Sequence, residues 1–163
     1  MRTLETARLQ LRPRTLADLD AIVAMDSDPE VRRYVGGPLE PVAHRAEVRK
    51  NIVDGRPAPY FAWAIEWKDQ PGFLGQCALN PSPRPGVVEI SWRLAKPNWS
   101  QGIASEAAVA VLDHARRDLR LQPIVALVHP QNGASTRVAR KIGLQLAGET
   151  LFKGALHHVY LSL

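Results

Sequence analysis

The sequence of 163 residues contains one cysteine and no long apolar run. Cys77 cannot form a disulfide within the chain, which favours a reducing compartment. It lies in the strand-like run Phe73–Leu79, so we predict a buried packing residue rather than a nucleophile. No apolar stretch approaches the roughly 20 residues that span a bilayer, and the first residues lack the apolar region of a signal peptide. These absences predict a cytoplasmic protein with no membrane partner.

Several motifs that mark common chemistries are also missing. The chain has no Walker loop, no G-x-G-x-x-G fingerprint and no G-x-S-x-G nucleophile elbow. Its five histidines have no cysteine or carboxylate partners at metal-binding spacings. The adjacent His157 and His158 point to opposite faces of a strand and cannot chelate one ion together. We therefore predict no metal site.

The net charge of +5 is concentrated in one part of the chain. Residues 91–145 carry eight Lys or Arg residues against three acidic residues, an excess equal to the whole net charge. A local positive field suits a phosphorylated ligand. The alternative is a solvated basic helix face, which we prefer for Arg116, Arg117 and Arg120. Because no nucleic-acid-binding motif occurs, we predict no nucleic-acid partner.

Hydrophobic periodicity and turn residues predict a single mixed α/β domain over residues 1–163. An antiparallel meander is followed by a β-α-β crossover. The predicted strands are Arg8–Arg12, Tyr60–Trp67, Phe73–Asn80, Val87–Leu94, Ile124–Val128, Leu146–Leu151 and His157–Leu163. The predicted helices are Leu16–Met25, Val42–Asp54, Ala104–Leu119 and Gly133–Ile142, with a helical turn over Pro29–Tyr34.

The most informative segment is Leu94–Ala108, where a strand leads through a short loop into an amphipathic helix. The start of a helix presents free backbone N–H groups and the positive end of the helix dipole. Gly102 and Ala104 let those groups approach an anion closely. The segment therefore predicts a cradle for a phosphate or pyrophosphate.

A second motif, Asn132–Leu144, follows a buried strand about thirty residues later. Asn132 precedes a short helix that ends at Gly143, which is a typical helix stop. Taken alone, Asn132 is an ordinary helix cap. With the anion cradle upstream, we favour a cofactor contact instead.

Together these motifs resemble the GNAT acetyltransferase superfamily, in its RimJ/RimL-like branch. The run Trp99–Ala107 is similar to its pyrophosphate loop, with Ser100 in place of the first glycine and Trp99 in place of a polar residue. Asn132–Leu144 is similar to its second motif, and Thr6–Arg12 resembles its opening strand. The resemblance implies an α/β GNAT fold, whose mostly antiparallel sheet of six to seven strands is flanked by about four helices and split between strands 4 and 5.

The resemblance also implies acetyl-CoA as co-substrate, a primary amine as acceptor and a possible homodimer. Candidate acceptors are protein N-termini, amino acids and small amines. The implied cofactor-binding residues lie on the fourth strand, in the loop and at the second motif: Trp92, Leu94, Ser100, Gln101, Gly102, Ile103, Ala104, Ser105, Asn132 and Ser135. Tyr34 and the loop Gly36–Pro38 would help to shape the acceptor pocket.

Acetyl transfer to an amine requires a base, an oxyanion donor and a proton for the leaving thiolate. Glu89 is the first candidate for the base, with a surface ion pair to an arginine as the alternative. His157 is the second candidate, because a histidine titrates near neutral pH, although a surface strand position is slightly favoured. Ser135 could donate to the thiolate. The family's tyrosine donor is excluded because its position is Ala139.

Two other functions remain open from the sequence. A non-catalytic CoA-binding or regulatory module on the same fold would bind acetyl-CoA without turnover. A basic nucleic-acid-binding domain would ignore CoA and bind with a steep salt dependence. The net positive charge argues against a polycationic acceptor, although Asp26, Asp28 and Glu30 could supply an acidic cleft.

Overall fold

The computed structural model describes residues 2–36 and 39–162. The eight strands are β1 (Leu4–Glu5), β2 (Leu9–Pro13), β3 (Ala62–Trp67), β4 (Gly75–Pro81), β5 (Val88–Leu94), β6 (Ile124–Val128), β7 (Gln145–Phe152) and β8 (Ala155–Leu161). The five α-helices are α1 (Leu19–Ser27), α2 (Pro29–Arg32), α3 (Pro41–Val53), α4 (Ile103–Arg117) and α5 (Gly133–Lys141).

The strands form one sheet in the order β1-β2-β3-β4-β5-β6-β8-β7. All neighbouring pairs are antiparallel except β5 and β6, which are parallel. The predicted fold class is confirmed. The sheet has one strand more than the predicted range because the two-residue β1 adds an edge, and the Pro29 turn forms a fifth helix.

One face of the sheet packs on α4. Leu11, Trp63 and Ile65 point to this face and are fully buried, as alternation along the strands predicts. Cys77 joins them in the core, which confirms its predicted packing role. Helix α4 contributes a stripe at a spacing of four residues: Ile103, Ala107, Val111 and Ala115, all fully buried. Complete burial of an Ile or Val side chain contributes roughly 1.5–3 kcal/mol to stability, so this stripe fixes α4 firmly.

Helices α1 and α3 pack on each other around a smaller cluster of Leu19, Ile22 and Val48. The predicted start of the first helix at Leu16 is wrong. Residues Leu16–Asp18 form a single 3-10 turn in which Thr15 and Asp18 make a reciprocal capping box. Leu16 lies in this 3-10 turn, before α1 begins, and half of its surface is exposed.

The parallel strands β5 and β6 are paired over only two positions, Val88 with Ile124 and Glu89 with Val125. Beyond Glu89 the two strands separate, and this is the predicted split between the fourth and fifth strands of the sequence-based assignment. The remainder of β5 is bound to β4 on its other side up to Leu94. The split therefore exposes one edge of β5 inside the sheet.

No helix in residues 2–36 and 39–162 is long and apolar enough to cross a membrane. Gly37 and Pro38 of the predicted acceptor loop lie outside the described residues, and so does Leu163 of the predicted last strand.

Candidate active site

The loop before α4 has the backbone conformation that an anion cradle needs. Gly102 is the N-cap of α4 and adopts a left-handed conformation with φ of 78°. The first helical hydrogen bond runs from Glu106 N to Gly102 O (3.1 Å), so the N–H groups of Ile103, Ala104 and Ser105 precede the helical ladder. Three backbone donors and the helix dipole thus converge at one point beside an exposed glycine.

Ser100, which replaces the first glycine of the family motif, is also left-handed, with φ of 62°. This region of backbone space suits glycine and costs other L-residues about 1 kcal/mol or more. The loop therefore has the left-handed backbone that a glycine would favour at this position, although the residue here is Ser100.

Glu106 in the first turn of α4 anchors the loop to the beginning of the sheet. Its carboxylate accepts hydrogen bonds from Thr6 Oγ1 (2.5 Å), the Arg8 backbone N (3.0 Å) and Arg8 Nε (2.8 Å). Arg8 also donates from Nη2 to the carbonyl of Gln101 (3.1 Å). Burial alone would raise the pKa of Glu106, but these donors outweigh it and hold that pKa below its usual range. Thr6 and Arg8 therefore have a structural role, which is to fix the start of α4.

The backbone N–H groups of Trp92 and Leu94 point into the split from the unpaired edge of β5, as the hydrogen bonds of their neighbours indicate. Val88 N donates to Pro123 O on the β6 side (3.4 Å), and Ala95 N donates to Leu74 O on the β4 side (3.0 Å). Because the N–H direction alternates along a strand, the N–H groups of Trp92 and Leu94 face the split. Trp99 Nε1 closes this edge at its far end by donating to Leu94 O (2.9 Å).

A cleft of about 710 Å³ opens at the split and continues towards α1 and α3. Five of the predicted catalytic and cofactor-binding residues line it together: Glu89, Trp92, Asn132, Ser135 and His157. Tyr34 and Gly36, which were predicted to shape the acceptor pocket, line it as well. Leu94 and the loop residues 100–105 are not part of its lining, because they lie at the outer end of β5. The structure thus separates a backbone cradle from a side-chain cleft, with β5 connecting the two.

Glu89 is 9% exposed and lies on the wall of the cleft. Burial raises the pKa of its carboxyl group from 4.5 to about 7, against the opposing fields of Lys153 and Arg93. The alternative of a surface ion pair to an arginine is wrong among the described residues, because the nearby Arg93 is bound to Asp26 instead. A buried carboxyl group that changes charge near pH 7 has the properties of a general base.

His157 is also buried, at 7% exposure, so the favoured surface position is wrong. Phe152 and His129 pack edge-on against its ring at centroid distances of 5.6 and 5.8 Å. Its Nδ1 lies 3.1 Å from the carbonyl oxygen of Ala155. His158 points to the other face and meets Glu149 at 3.3 Å, as the strand alternation predicts.

Asn132 caps α5, where its Oδ1 accepts from Ser135 N (3.0 Å). Asn132 is therefore a helix cap, as one of the two interpretations of the sequence predicted. Both residues also line the cleft, so the amide nitrogen of Asn132 and the hydroxyl of Ser135 are available on the same surface as Glu89.

The sequence analysis named Asp26 as a possible acid of the cleft but missed the residues around it. Asp26 on α1 is buried and receives Arg93 on one oxygen and His44 Nε2 at 3.0 Å on the other. Arg14 and Arg56 line the same cleft from segments that carry no motif. The alternation of Glu89, Ser91 and Arg93 along β5 could have placed Arg93 beside Glu89. No sequence signal places the other members.

Among the described residues, no group of three or more His, Cys, Asp or Glu side chains could hold a metal ion.

Comparison with known proteins identifies relatives over most of the chain. A family model for the acetyltransferase (GNAT) domain matches residues 8–145. The uncharacterized protein YkkB of Bacillus subtilis is 33% identical over 140 residues, which are 83% of this chain and 81% of that protein. The uncharacterized N-acetyltransferase p20 of Bacillus licheniformis is 31% identical over 151 residues, which are 91% of this chain and 85% of that protein.

Solved structures show the same fold. An acetyltransferase from Agrobacterium tumefaciens superposes with a TM-score of 0.86 at 30% identity, over 100% of this chain and 95% of that chain. Structures of ribosomal-protein acetyltransferases share the fold at 17% to 20% identity, which shows the fold alone. The RimJ/RimL-like branch therefore stays a prediction.

Proposed function

The chain belongs to the GNAT acetyltransferase family, and from that premise we propose that it transfers an acetyl group from acetyl-CoA to a primary amine by direct attack within a ternary complex. The observation that carries this proposal is Glu89, a buried carboxyl group with a pKa of about 7 in the cleft at the sheet split. The membership establishes an acyl-CoA-dependent acetyltransferase. The amine and the mechanism are our proposal.

The residues at the start of α4 fit the pyrophosphate of CoA. The N–H groups of Gly102 to Ser105 offer donors without a side chain in the way, and the left-handed Gly102 keeps the approach open. A Cβ added at Gly102 would meet only the guanidinium of Arg8, at 3.5 Å, so the cradle has room for an anion. Acetyl-CoA supplies an acetyl group that is activated as a thioester.

Glu89 would accept the proton that the amine loses. An amine must be neutral to attack, and a base of pKa about 7 is half ionised at neutral pH. His157 is the second candidate for this role, because it is buried in the same cleft and an imidazole nitrogen can accept a proton. A substitution at Glu89 and a substitution at His157 distinguish the two candidates, because the one that removes the base lowers kcat more.

Two further groups would stabilise charge during transfer. The N–H of Trp92 faces the split and would donate to the acetyl oxygen as negative charge develops there. Ser135 would donate to the sulfur or position the acetyl end, and Asn132 would hold the amide-rich arm of the cofactor. Leu94 would contribute its backbone N–H at the outer end of β5.

The proposal keeps three further expectations as predictions: a cytoplasmic location, a single domain over residues 1–163 and a homodimer. The proposal includes no nucleic-acid partner and no membrane partner.

The proposal is tested by following CoA thiol release with acetyl-CoA and a panel of primary amines, beside a thermal-shift titration with acetyl-CoA, NAD and ATP. A ligand that binds only the native state raises the melting temperature. We expect stabilisation by acetyl-CoA alone and amine-dependent thiol release that falls sharply in Glu89→Gln. Binding without turnover on any amine would identify a non-catalytic CoA-binding module instead.

A further inference from the structure

Two arginines, Arg14 and Arg56, line the wall of the cleft. Arg14 follows β2 and Arg56 follows α3, and both side chains are partly buried in the cleft lining. Each donates to a neutral amide: Arg14 Nη1 to Gln76 Oε1 (3.2 Å) and Arg56 Nη2 to Asn80 Oδ1 (3.0 Å). Within residues 2–36 and 39–162, neither arginine forms an ion pair with a carboxylate.

This absence is unusual because the two cations lie close enough to oppose each other. Burial lowers the pKa of both guanidinium groups, and the charge of Arg56 lowers the pKa of Arg14 further. Partly desolvated like charges are unfavourable unless an anion compensates them. The charges of Asp26 and Asp18 partly offset these effects on the pKa of Arg14, and the amides of Gln76 and Asn80 orient the two guanidinium groups without adding a negative charge.

Part of the remaining charge in the cleft is paired, whereas Arg33, Glu47 and Lys153 of its lining form no ion pair among the described residues. Arg93 is bound to Asp26, and Asp26 also meets His44. Two more acids that could have received a cationic acceptor are engaged elsewhere: Asp28 caps α2 and Glu30 pairs with Lys96. The cleft is lined by five Lys or Arg residues and three acidic residues, so it favours an anion rather than a second cation.

A hydrogen-bonded chain runs from Arg56 through Asn80 to Ser91, next to the candidate base. Arg56 binds Asn80 Oδ1, and Asn80 Nδ2 donates to Ser91 Oγ at 2.7 Å. Asn80 is the cross-strand partner of Glu89, and Ser91 follows Glu89 on the same face of β5. Cross-strand neighbours lie roughly 5 Å apart. Arg56 is therefore linked through Asn80 to the strand positions next to Glu89, and both residues line the same cleft.

We propose that the acceptor amine carries an anionic oxygen group, a carboxylate or a phosphate, which binds between Arg14 and Arg56 while its amino group lies at Glu89. This inference rests on the proposed acetyl transfer. The planar guanidinium fork matches both carboxylate and phosphate oxygens. Amino acids, aminophosphonates and peptides with an acidic residue next to the N-terminus have this chemistry.

The test compares acceptors in matched pairs that differ only in the anionic group. L-phenylalanine is compared with 2-phenylethylamine, and aminomethylphosphonate with methylamine. A peptide amide that begins Ala-Glu is compared with one that begins Ala-Gln, which separates free amino acids from acidic N-termini. We expect the anionic member of at least one pair to have a kcat/KM at least roughly tenfold higher, mainly through KM.

The variants Arg14→Gln and Arg56→Gln should each reduce this preference roughly 10- to 100-fold, with the loss in acceptor KM. Arg56→Glu should invert the preference towards the uncharged member of each pair. Arg84→Gln, on the exposed turn between β4 and β5, is the matched control and should leave every constant unchanged. Acetyl-CoA affinity and melting temperature are measured for each variant to establish that the fold and the cofactor site are intact.

The outcomes distinguish this inference from the proposed function. Equal kcat/KM for both members of every pair, with robust turnover, would overturn the anionic acceptor and leave acetyl transfer standing. A preference that survives in both arginine variants would overturn their assignment as the anion site. Failure of the wild-type protein to bind acetyl-CoA or to acetylate any amine would instead refute the proposed function.

Discussion

The cofactor loop and the acceptor cleft are built in opposite ways. The loop from Trp99 to Ser105 presents backbone N–H groups, so its chemistry depends on conformation: Gly102 and Ser100 are left-handed and α4 begins where the donors converge. The cleft presents side chains from α1, α3 and α5, from strands β3 to β8 and from the segments that connect them. A backbone site tolerates changes of side chain that keep its shape, whereas a side-chain site is retuned by single substitutions. This difference is what we expect if the backbone loop binds a fixed cofactor and the side-chain cleft determines which acceptor is used.

Two glutamates express the same contrast. Glu106 is surrounded by donors from Thr6 and Arg8, which hold its pKa low and keep it charged as a structural anchor. Glu89 is buried without such donors, and its pKa is raised to about 7. The first carboxylate stabilises the fold when ionised and the second when protonated. Substitution of the two residues by glutamine is therefore expected to change the free energy of unfolding in opposite directions at neutral pH.

The largest expected effect is on catalysis in Glu89→Gln. The amide keeps the shape but cannot accept a proton, so kcat should fall by about 10²- to 10⁴-fold. Acetyl-CoA affinity, measured by calorimetry, should remain within about twofold, because the cradle is a separate backbone site. Glu5→Gln is the matched control on the exposed β1 edge. A parallel loss of acetyl-CoA affinity in Glu89→Gln would remove the distinction between the two regions.

The same substitution should change stability in a pH-dependent manner. The folded protein holds the Glu89 proton up to about pH 7, whereas the unfolded chain releases it near pH 4.5. This group's contribution is therefore fully present below pH 4.5 and is lost as the pH rises through 7. Glu89→Gln should unfold like wild type at pH 4.5 and be about 3 kcal/mol more stable at pH 8, as measured by urea denaturation. An equal difference at both pH values would show that its pKa is not raised.

Glu106→Gln should have the opposite sign. The side chain is 21% exposed and loses charge-assisted bonds to Thr6 and Arg8, so unfolding free energy should fall by about 2 kcal/mol at pH 7. Because the pKa of Glu106 is lowered in the folded state, this contribution is present above its unfolded pKa and is lost as the pH falls through the folded value. The difference between variant and wild type should therefore shrink in acid. A constant difference down to pH 3 would contradict the anchoring role.

The smallest effects concern backbone conformation in the loop. Ser100→Gly relieves a left-handed serine and should raise unfolding free energy by up to about 1 kcal/mol. Gly102→Ala introduces the same conflict at φ of 78° and should lower it by about 1 kcal/mol. Thermal denaturation of the pair, with buffer and scan rate fixed, measures both. Shifts of the same direction in the two variants would show that φ does not control the loop.

The sequence predicted the loop better than the cleft, for a physical reason. Gly102, the start of α4 and the alternation of β5 are local features, and each is encoded by neighbouring residues. The split was expected from the resemblance to the GNAT superfamily rather than from a local signal. His157 and Arg56 depend on which strands and helices meet in space, so the predicted surface position of His157 failed and Arg56 was not identified. The two-residue β1 is too short to leave a periodic signal.

The central claim is that the start of α4 binds the phosphates of acetyl-CoA, and one matched pair of variants tests it most directly. Asparagine and aspartate have the same shape and both tolerate a left-handed backbone, so Gly102→Asn and Gly102→Asp differ only in charge. Calorimetric titration with acetyl-CoA should give an affinity for the Asn variant within about fivefold of wild type, and a loss of about 100-fold or more for the Asp variant, because a carboxylate would lie inside the anion cradle. Equal affinities in the two variants, with both proteins folded, would contradict the account.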